Sequence, residues 1–378
     1  MRQIQMNKRC RVREWGLKIG DLPPAANNSF TDVPGIKVGH QTLIRGEGEL
    51  QPGQGPVRTG VTAIKPHPGN IFKEKVPAAC EIINGFGKSV GLPQIQETGL
   101  LETPILLTNT LNVGRVADAL IDYMLEENPE IGIDTGTVNP VVGECNDAYL
   151  NDIQGRHVGK EDVFTALKES SPAPVKEGAV GAGTGMSTFG FKGGIGTSSR
   201  LLRLENEEYV LGVLVLSNFG KKENLKVAGY PVGRYLKDDE EDNKEDDGSI
   251  IILLATDLPL NARQLKRMAR RVPAGLGRVG SILSHGSGDF VLAFSTGRRI
   301  PHQPEHPLRE DKYFFDHKKE VNLLFKAVVE GVEEAVLNAL FTASTMEGRD
   351  GNLREALPLE SLEELINVSN FTARTDQK

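Results

Sequence analysis

Apolar residues along the chain fall into two patterns. The first is a set of short continuous runs closed off by turn residues, at 59–64, 105–107, 211–216, 250–255 and 290–295. Runs of this length, rich in Val, Ile and Leu and bounded by Gly, Pro, Asn or Asp, predict strands buried on both faces. Shorter segments at 36–40, 82–87 and 141–144 add candidate strands. The second pattern is helical. Val113, Val116, Leu120, Ile121, Met124 and Leu125 recur near helical spacing and stop at Asn128-Pro129. The pattern also predicts a basic amphipathic helix over 260–272, short helices over 162–168 and 359–366, and the longest helix over 321–340, with one apolar stripe. Residues 1–35 read as an irregular arm whose Trp15-Gly16-Leu17 segment can pack on a neighbouring element, and 301–317 as a polar loop. Strands and helices mix without strict βαβ alternation. Doubly buried sheets need cover on both sides, so the predicted class is α+β, a layered sandwich of stacked sheets under helices.

One junction breaks the pattern abruptly. Residues 237–247 hold eight acidic residues and two lysines, and the strand run 250–255 follows at once. The acidic stretch cannot bury apolar surface and reads as a solvated loop. Gly248 and Ser249 stand on the border. Two readings are open here. The loop simply enters a core strand, or the chain cuts itself there and Ser249 becomes an N-terminal nucleophile. The strand is too apolar to stand outside a sheet, so the loop is expected to be an excursion within a single domain spanning 1–378.

Composition narrows the partners. With 378 residues, 38% hydrophobic and 25% charged, the chain fits a soluble globular protein. A net charge of −7 leaves no basic excess to neutralise phosphates, so nucleic acid is not an expected partner. The densest basic patch, Lys266, Arg267, Arg270 and Arg271, reads as a solvated helix face. The start of the chain has no apolar signal-peptide core, and no stretch approaches the roughly 18 apolar residues that span a membrane. Three cysteines without Cys-x-x-Cys spacing argue against a disulfide scaffold or zinc site and for a reducing compartment, hence the cytoplasm.

Several motifs offer chemistry. The glycine run at 181–185 suggests a nucleotide loop, but the Gly-rich sequence after it will not open the helix that a dinucleotide fingerprint needs. No cofactor is expected. His302 and His306 have ligand-like spacing, which Pro301, Pro304 and Pro307 deprive of a helix. Cys145 beside Glu144 reads as an inert buried thiol before a nucleophile. Ser284-His285-Gly286-Ser287-Gly288-Asp289 gathers hydroxyls, an imidazole and a carboxylate; it also reads as a plain strand-entry turn. Asn218 ends a strand and reads either as an oxyanion donor or as a turn residue.

Eight stretches taken together are more specific than any one: 55–64, Thr108-Asn109-Thr110, 140–144, 150–155, 193–200, 217–220, 248–251 and 286–289. In this order they resemble the L-aminopeptidase/D-esterase family, with its D-aminopeptidase and beta-peptidyl aminopeptidase relatives. The resemblance covers roughly 15–338. It implies a four-layer αββα sandwich, similar to N-terminal nucleophile hydrolases but differently connected. It implies self-cleavage between Gly248 and Ser249 into subunits 1–248 and 249–378, which stay together and assemble into homo-oligomers. It places Ser249 as nucleophile, Asn218 as oxyanion donor, Ser287 and Asp289 as the polar pair supporting the nucleophile, and Glu144 as the acid that holds the substrate ammonium. Asn146 stands where some members carry an aromatic residue, at the substrate pocket. The implied activity is hydrolysis of N-terminal residues from small peptides, amides or esters, D- and β-residues included. An acyltransferase of the ornithine acetyltransferase type, which uses Thr, and an uncleaved scaffold protein are the alternatives.

Overall fold

A computed structural model describes residues 9–236, 248–317 and 319–366. The acidic run 237–247 lies outside the described residues, so the reading of it as a solvated loop stays an expectation. The first sheet takes strands β1 (Lys37–Arg45), β2 (Val57–Lys65), β4 (Ile105–Asn109) and β5 (Val141–Cys145), in that spatial order. The second takes β3 (Glu74–Gly85), β6 (Gly194–Leu204), β7 (Glu207–Asn218), β8 (Ser249–Thr256) and β9 (Gly288–Ser295), ordered β3-β9-β8-β7-β6. Most neighbours are antiparallel. The two parallel pairs are β4 with β5 and β8 with β9.

Each parallel pair needs a long return path, and helices supply both. Helix α1 (Val113–Glu127) joins β4 to β5, and α2 (Lys160–Lys168) packs beside it on the first sheet. Helices α3 (Ala262–Ala269) and α4 (Val272–Val279) join β8 to β9, and α5 (Val321–Thr342) lies across β6 and β7. The result is helices, sheet, sheet, helices, the four-layer αββα arrangement. Strand alternation feeds two cores. In β8, Ile251, Leu253 and Ala255 fill the space between the sheets, while Ile250, Ile252 and Leu254 meet the outer helices.

Three departures from the sequence reading shape the region around the site. The helix expected over 260–272 is two helices that part at Arg270-Arg271. Strand β6 went unread because its glycines and serines, Gly194 to Ser199, mask a strand that is buried from Gly194 to Arg200. The Gly196 site explains the composition: a Cβ there would lie 2.0 Å from the Ala335 carbonyl, so glycine lets α5 rest on the strand. Helix α5 is buried nearly all round rather than along one stripe, with Glu330, Glu333, Glu334 and Asn338 inside. Its acids meet the N-terminal arm. Arg13 Nε and Arg200 Nη2 both lie 2.7 Å from Glu334, and Trp15 packs edge-on against Phe341 at 5.6 Å. The basic patch is ion-paired surface: Arg267 meets Asp316 at 2.5 Å, and Arg271 lies over the Phe325 ring.

Candidate active site

Strand ends bring the predicted residues to one edge of the sandwich. In the β7–β8 ladder Asn218 stands opposite Ser249, and Ser249 is also in register with Gly288 at the start of β9. Alternation places Asn218 with Leu216 and Ser249 with Ile251, on the face between the sheets. The end of β5 in the opposite sheet arrives there too. The Cys145 thiol donates to the Leu216 carbonyl at 3.4 Å.

Ser249, Asn218, Ser287, Asp289 and Glu144 are all buried. Two donors converge on the Ser249 hydroxyl oxygen: the Asn146 backbone N–H at 3.3 Å and Asn218 Nδ2 at 3.5 Å. Ser287 Oγ donates to Asp289 Oδ1 at 2.5 Å. The turn that carries Ser287 is held by Asn84, whose amide donates to the carbonyls of Ser284 and His285. The His285 imidazole is exposed and faces Phe86 rather than the nucleophile. The Gly248 carbonyl accepts the Gly288 N–H at 3.2 Å. A Cβ on Gly248 would lie 2.8 Å from Phe219 Cα and 3.0 Å from the Asn218 carbonyl, so only glycine fits the slot before Ser249.

Glu144 is held by both oxygens. Oε1 accepts the Lys88 N–H at 2.8 Å, and Oε2 accepts the Thr110 hydroxyl. Each carboxylate oxygen keeps a lone pair for a cation. Asn146 reaches Ser249 through its backbone; its side chain is exposed and accepts the Ala148 N–H at 2.9 Å. Burial, then the adjacent Glu144 carboxylate, push the Cys145 thiol well up, so it stays protonated and poorly nucleophilic.

Other parts were not read from the sequence. Asp147 sits behind Asn146 and accepts from Thr59 Oγ1 at 2.6 Å, Asn109 Nδ2 at 3.1 Å and Asn151 Nδ2 at 3.1 Å. Burial raises its carboxyl to about 6. Thr110 and Asn109 stood in a noticed motif, but nothing in the sequence ties them to Glu144 and Asp147 across the sheet. The glycine run at 181–185 forms a tight turn at Gly181–Gly183 between the sheets. His302 stacks on Phe72 with centroids 4.4 Å apart. Among the described residues no helix is long and apolar enough to cross a membrane.

A serine between two donors at a strand end admits many reactions. Comparison narrows them. The model for peptidase family S58 matches residues 28–354. The chain belongs to peptidase family S58. It is 39% identical over 370 residues to the beta-peptidyl aminopeptidase BapA of Sphingosinicella microcystinivorans, spanning 94% of this chain and 91% of that one. The solved PH0078 protein from Pyrococcus horikoshii OT3 superposes with a TM-score of 0.90 at 52% identity, covering 96% of this chain and 99% of that one. The L-aminopeptidase D-Ala-esterase/amidase from Ochrobactrum anthropi, described as a prototype for the serine aminopeptidases and a new variant among the Ntn hydrolase fold, superposes at 0.88 with 38% identity, covering 95% and 99%. This S58 chain is accordingly a serine-type aminopeptidase on an Ntn-hydrolase type of fold.

Proposed function

We propose that this S58 enzyme is made as a single-domain precursor, cuts itself between Gly248 and Ser249, and then uses Ser249 as an N-terminal nucleophile. The observation that carries the reading is the convergence of Asn218 Nδ2 and the Asn146 N–H on Ser249 Oγ, directly after a glycine that nothing larger can replace. In the precursor Ser249 Oγ attacks the Gly248 carbonyl carbon. The C–N bond breaks, an ester forms, and the hydroxyl proton passes to the new amine. Water then hydrolyses the ester and leaves Gly248 with a carboxylate. The Gly288 N–H already on the Gly248 oxygen polarises that carbonyl for the attack.

The freed amine has a pKa of about 7.7–8.0 and serves as the base that serine lacks. It takes the hydroxyl proton, and Oγ attacks the substrate carbonyl. Asn218 and the Asn146 N–H stabilise the oxyanion. The protonated amine gives its proton to the leaving amine, and water resolves the acyl-enzyme. Ser287 and Asp289 hold the amine in place, and the carboxylate favours its charged form. Glu144 binds the substrate's own ammonium, which restricts the enzyme to N-terminal residues of small peptides, amides and esters, D- and β-residues among them. An acylated amine would leave that carboxylate buried without its partner. We further assign the enzyme to the cytoplasm and to a homo-oligomer of cleaved heterodimers; exposed Leu308, Tyr313 and Phe315 offer apolar surface for assembly.

Intact mass spectrometry tests the cut. The purified protein should yield fragments 1–248 and 249–378, and Ser249→Ala should remain one inactive chain. A Ser249→Ala protein that still splits after Gly248 would overturn the assignment.

A further inference from the structure

Lys192 is fully buried and takes no part in the chemistry above. Burying an ammonium is costly unless its donors are satisfied. Here they are satisfied by main chain alone. Nζ donates to the carbonyls of Met186 at 2.7 Å, Gly193 at 2.9 Å and Gly183 at 3.1 Å. These carbonyls flank a small hairpin in which Ser187–Thr188 pairs with Phe191–Lys192. The hairpin lies along the end of β7. Thr188 Oγ1 donates to the Ser217 carbonyl at 2.9 Å, and the Phe189 N–H to the Phe219 carbonyl at 2.7 Å.

Between those two contacts, the Ser187 N–H donates to Asn218 Oδ1 at 2.8 Å. That bond decides which way the Asn218 amide faces. With Oδ1 held by Ser187, Nδ2 is left to point at Ser249 Oγ. Flipped, the amide would present an oxygen to a developing oxyanion and repel it. The Met186 carbonyl that Lys192 grips belongs to the same peptide group as the Ser187 N–H. Fixing one end of that peptide fixes the other.

We propose that Lys192 is a positioning residue: by clamping the Met186–Ser187 peptide it sets the orientation of the Asn218 amide at the nucleophile. The inference rests on the reading of Asn218 as an oxyanion donor. Asp147 performs the corresponding task across the sheets, anchoring the segment whose Asn146 N–H is the second donor.

A double-mutant cycle tests it. Lys192→Met, Asn218→Ala and the double variant are assayed on an aminoacyl p-nitroanilide, with rates normalised to the fraction bearing N-terminal Ser249. Lys192→Met should lower kcat by about ten- to a hundred-fold with KM changed by less than about three-fold, as a displaced catalytic group does. In the Asn218→Ala background the same substitution should cost nothing further. Losses that multiply, or a loss carried by KM, overturn the inference while leaving the Asn218 reading intact. A wild-type kcat in Asn218→Ala sinks that reading and the inference with it. If Lys192→Met does not fold, Lys192→Gln, which keeps amide donors without the charge, enters the same cycle with the same outcomes.

Discussion

At the scale of single residues, the site is a set of oxygens and amides whose directions are fixed by their neighbours. Glu144 shows this best. Its two oxygens are oriented by Lys88 N–H and Thr110 Oγ1, so the remaining lone pairs face a defined place. Glu144→Gln should therefore lower kcat/KM for substrates with a free amine by about 10²-fold, in line with roughly 2–5 kcal/mol for losing one partner of a buried charge pair. Hydrolysis of N-acetylated analogues should rise from its low starting level, because the neutral amide leaves no buried charge unpaired. Comparing the two series separates ammonium recognition from damage to the site at large. The sequence pointed to Ser249, Asn218, Ser287, Asp289 and Glu144 chiefly through the resemblance carried by eight ordered stretches, and less through their own surroundings. It did not disclose Lys192, Asp147 or Thr110. Their partners come from other strands or from main-chain carbonyls, and no spacing within the chain encodes such a meeting. Asn146 is a different case. The resemblance concerns its side chain, yet its N–H is what reaches Ser249.

Among elements, close backbone approach governs the junction before β8. Gly248 lies against Phe219 Cα and the Asn218 carbonyl at the end of β7. Gly248→Ala must push those strand ends apart and draw the Gly248 carbonyl away from the Gly288 N–H. Self-cleavage should slow enough for precursor to accumulate. Following the ratio of intact chain to fragments over hours after purification measures it. Regular elements were legible where apolar runs were unbroken, as in β7, β8 and β9. Strand β6 was hidden because a helix presses on it and leaves room for nothing beyond glycine at Gly196. The split between α3 and α4 was hidden because the basic, amphipathic pattern continues across the break at Arg270-Arg271.

For the molecule as a whole, the contacts that matter most cross the proposed cut. Arg13, Asn28 and Arg200 come from the first fragment, while Glu330 and Glu334 come from the second. The ladder between β7 and β8 runs between the fragments for eight residue pairs, Leu211–Thr256 to Asn218–Ser249. The pieces should thus co-elute on size exclusion and separate only in denaturant. Glu334→Ala takes its closer carboxylate from the buried Arg200 guanidinium, leaving Glu330 at 3.5 Å, and also removes the partner of Arg13. It should cost about 3–5 kcal/mol, the usual penalty for breaking a buried pair from one side. Urea unfolding of the uncut Ser249→Ala background, with and without Glu334→Ala, gives that difference.

Ser249 is the first residue of a strand hemmed in by β7 on one side and β9 on the other. A cut at that point removes one covalent link and leaves the ladder untouched, but it changes the order of the folding reaction. The precursor folds as one molecule at any dilution. The mature enzyme, once denatured, must find its other half by diffusion and slot its β8–β9 pair between β7 and β3 of that half. Refolding yield should then rise with protein concentration for the cut enzyme and be independent of it for Ser249→Ala. Recovered fluorescence against dilution distinguishes the two. With the proposed cut made, the enzyme would fold once, as a precursor, and thereafter persist by the height of its unfolding barrier.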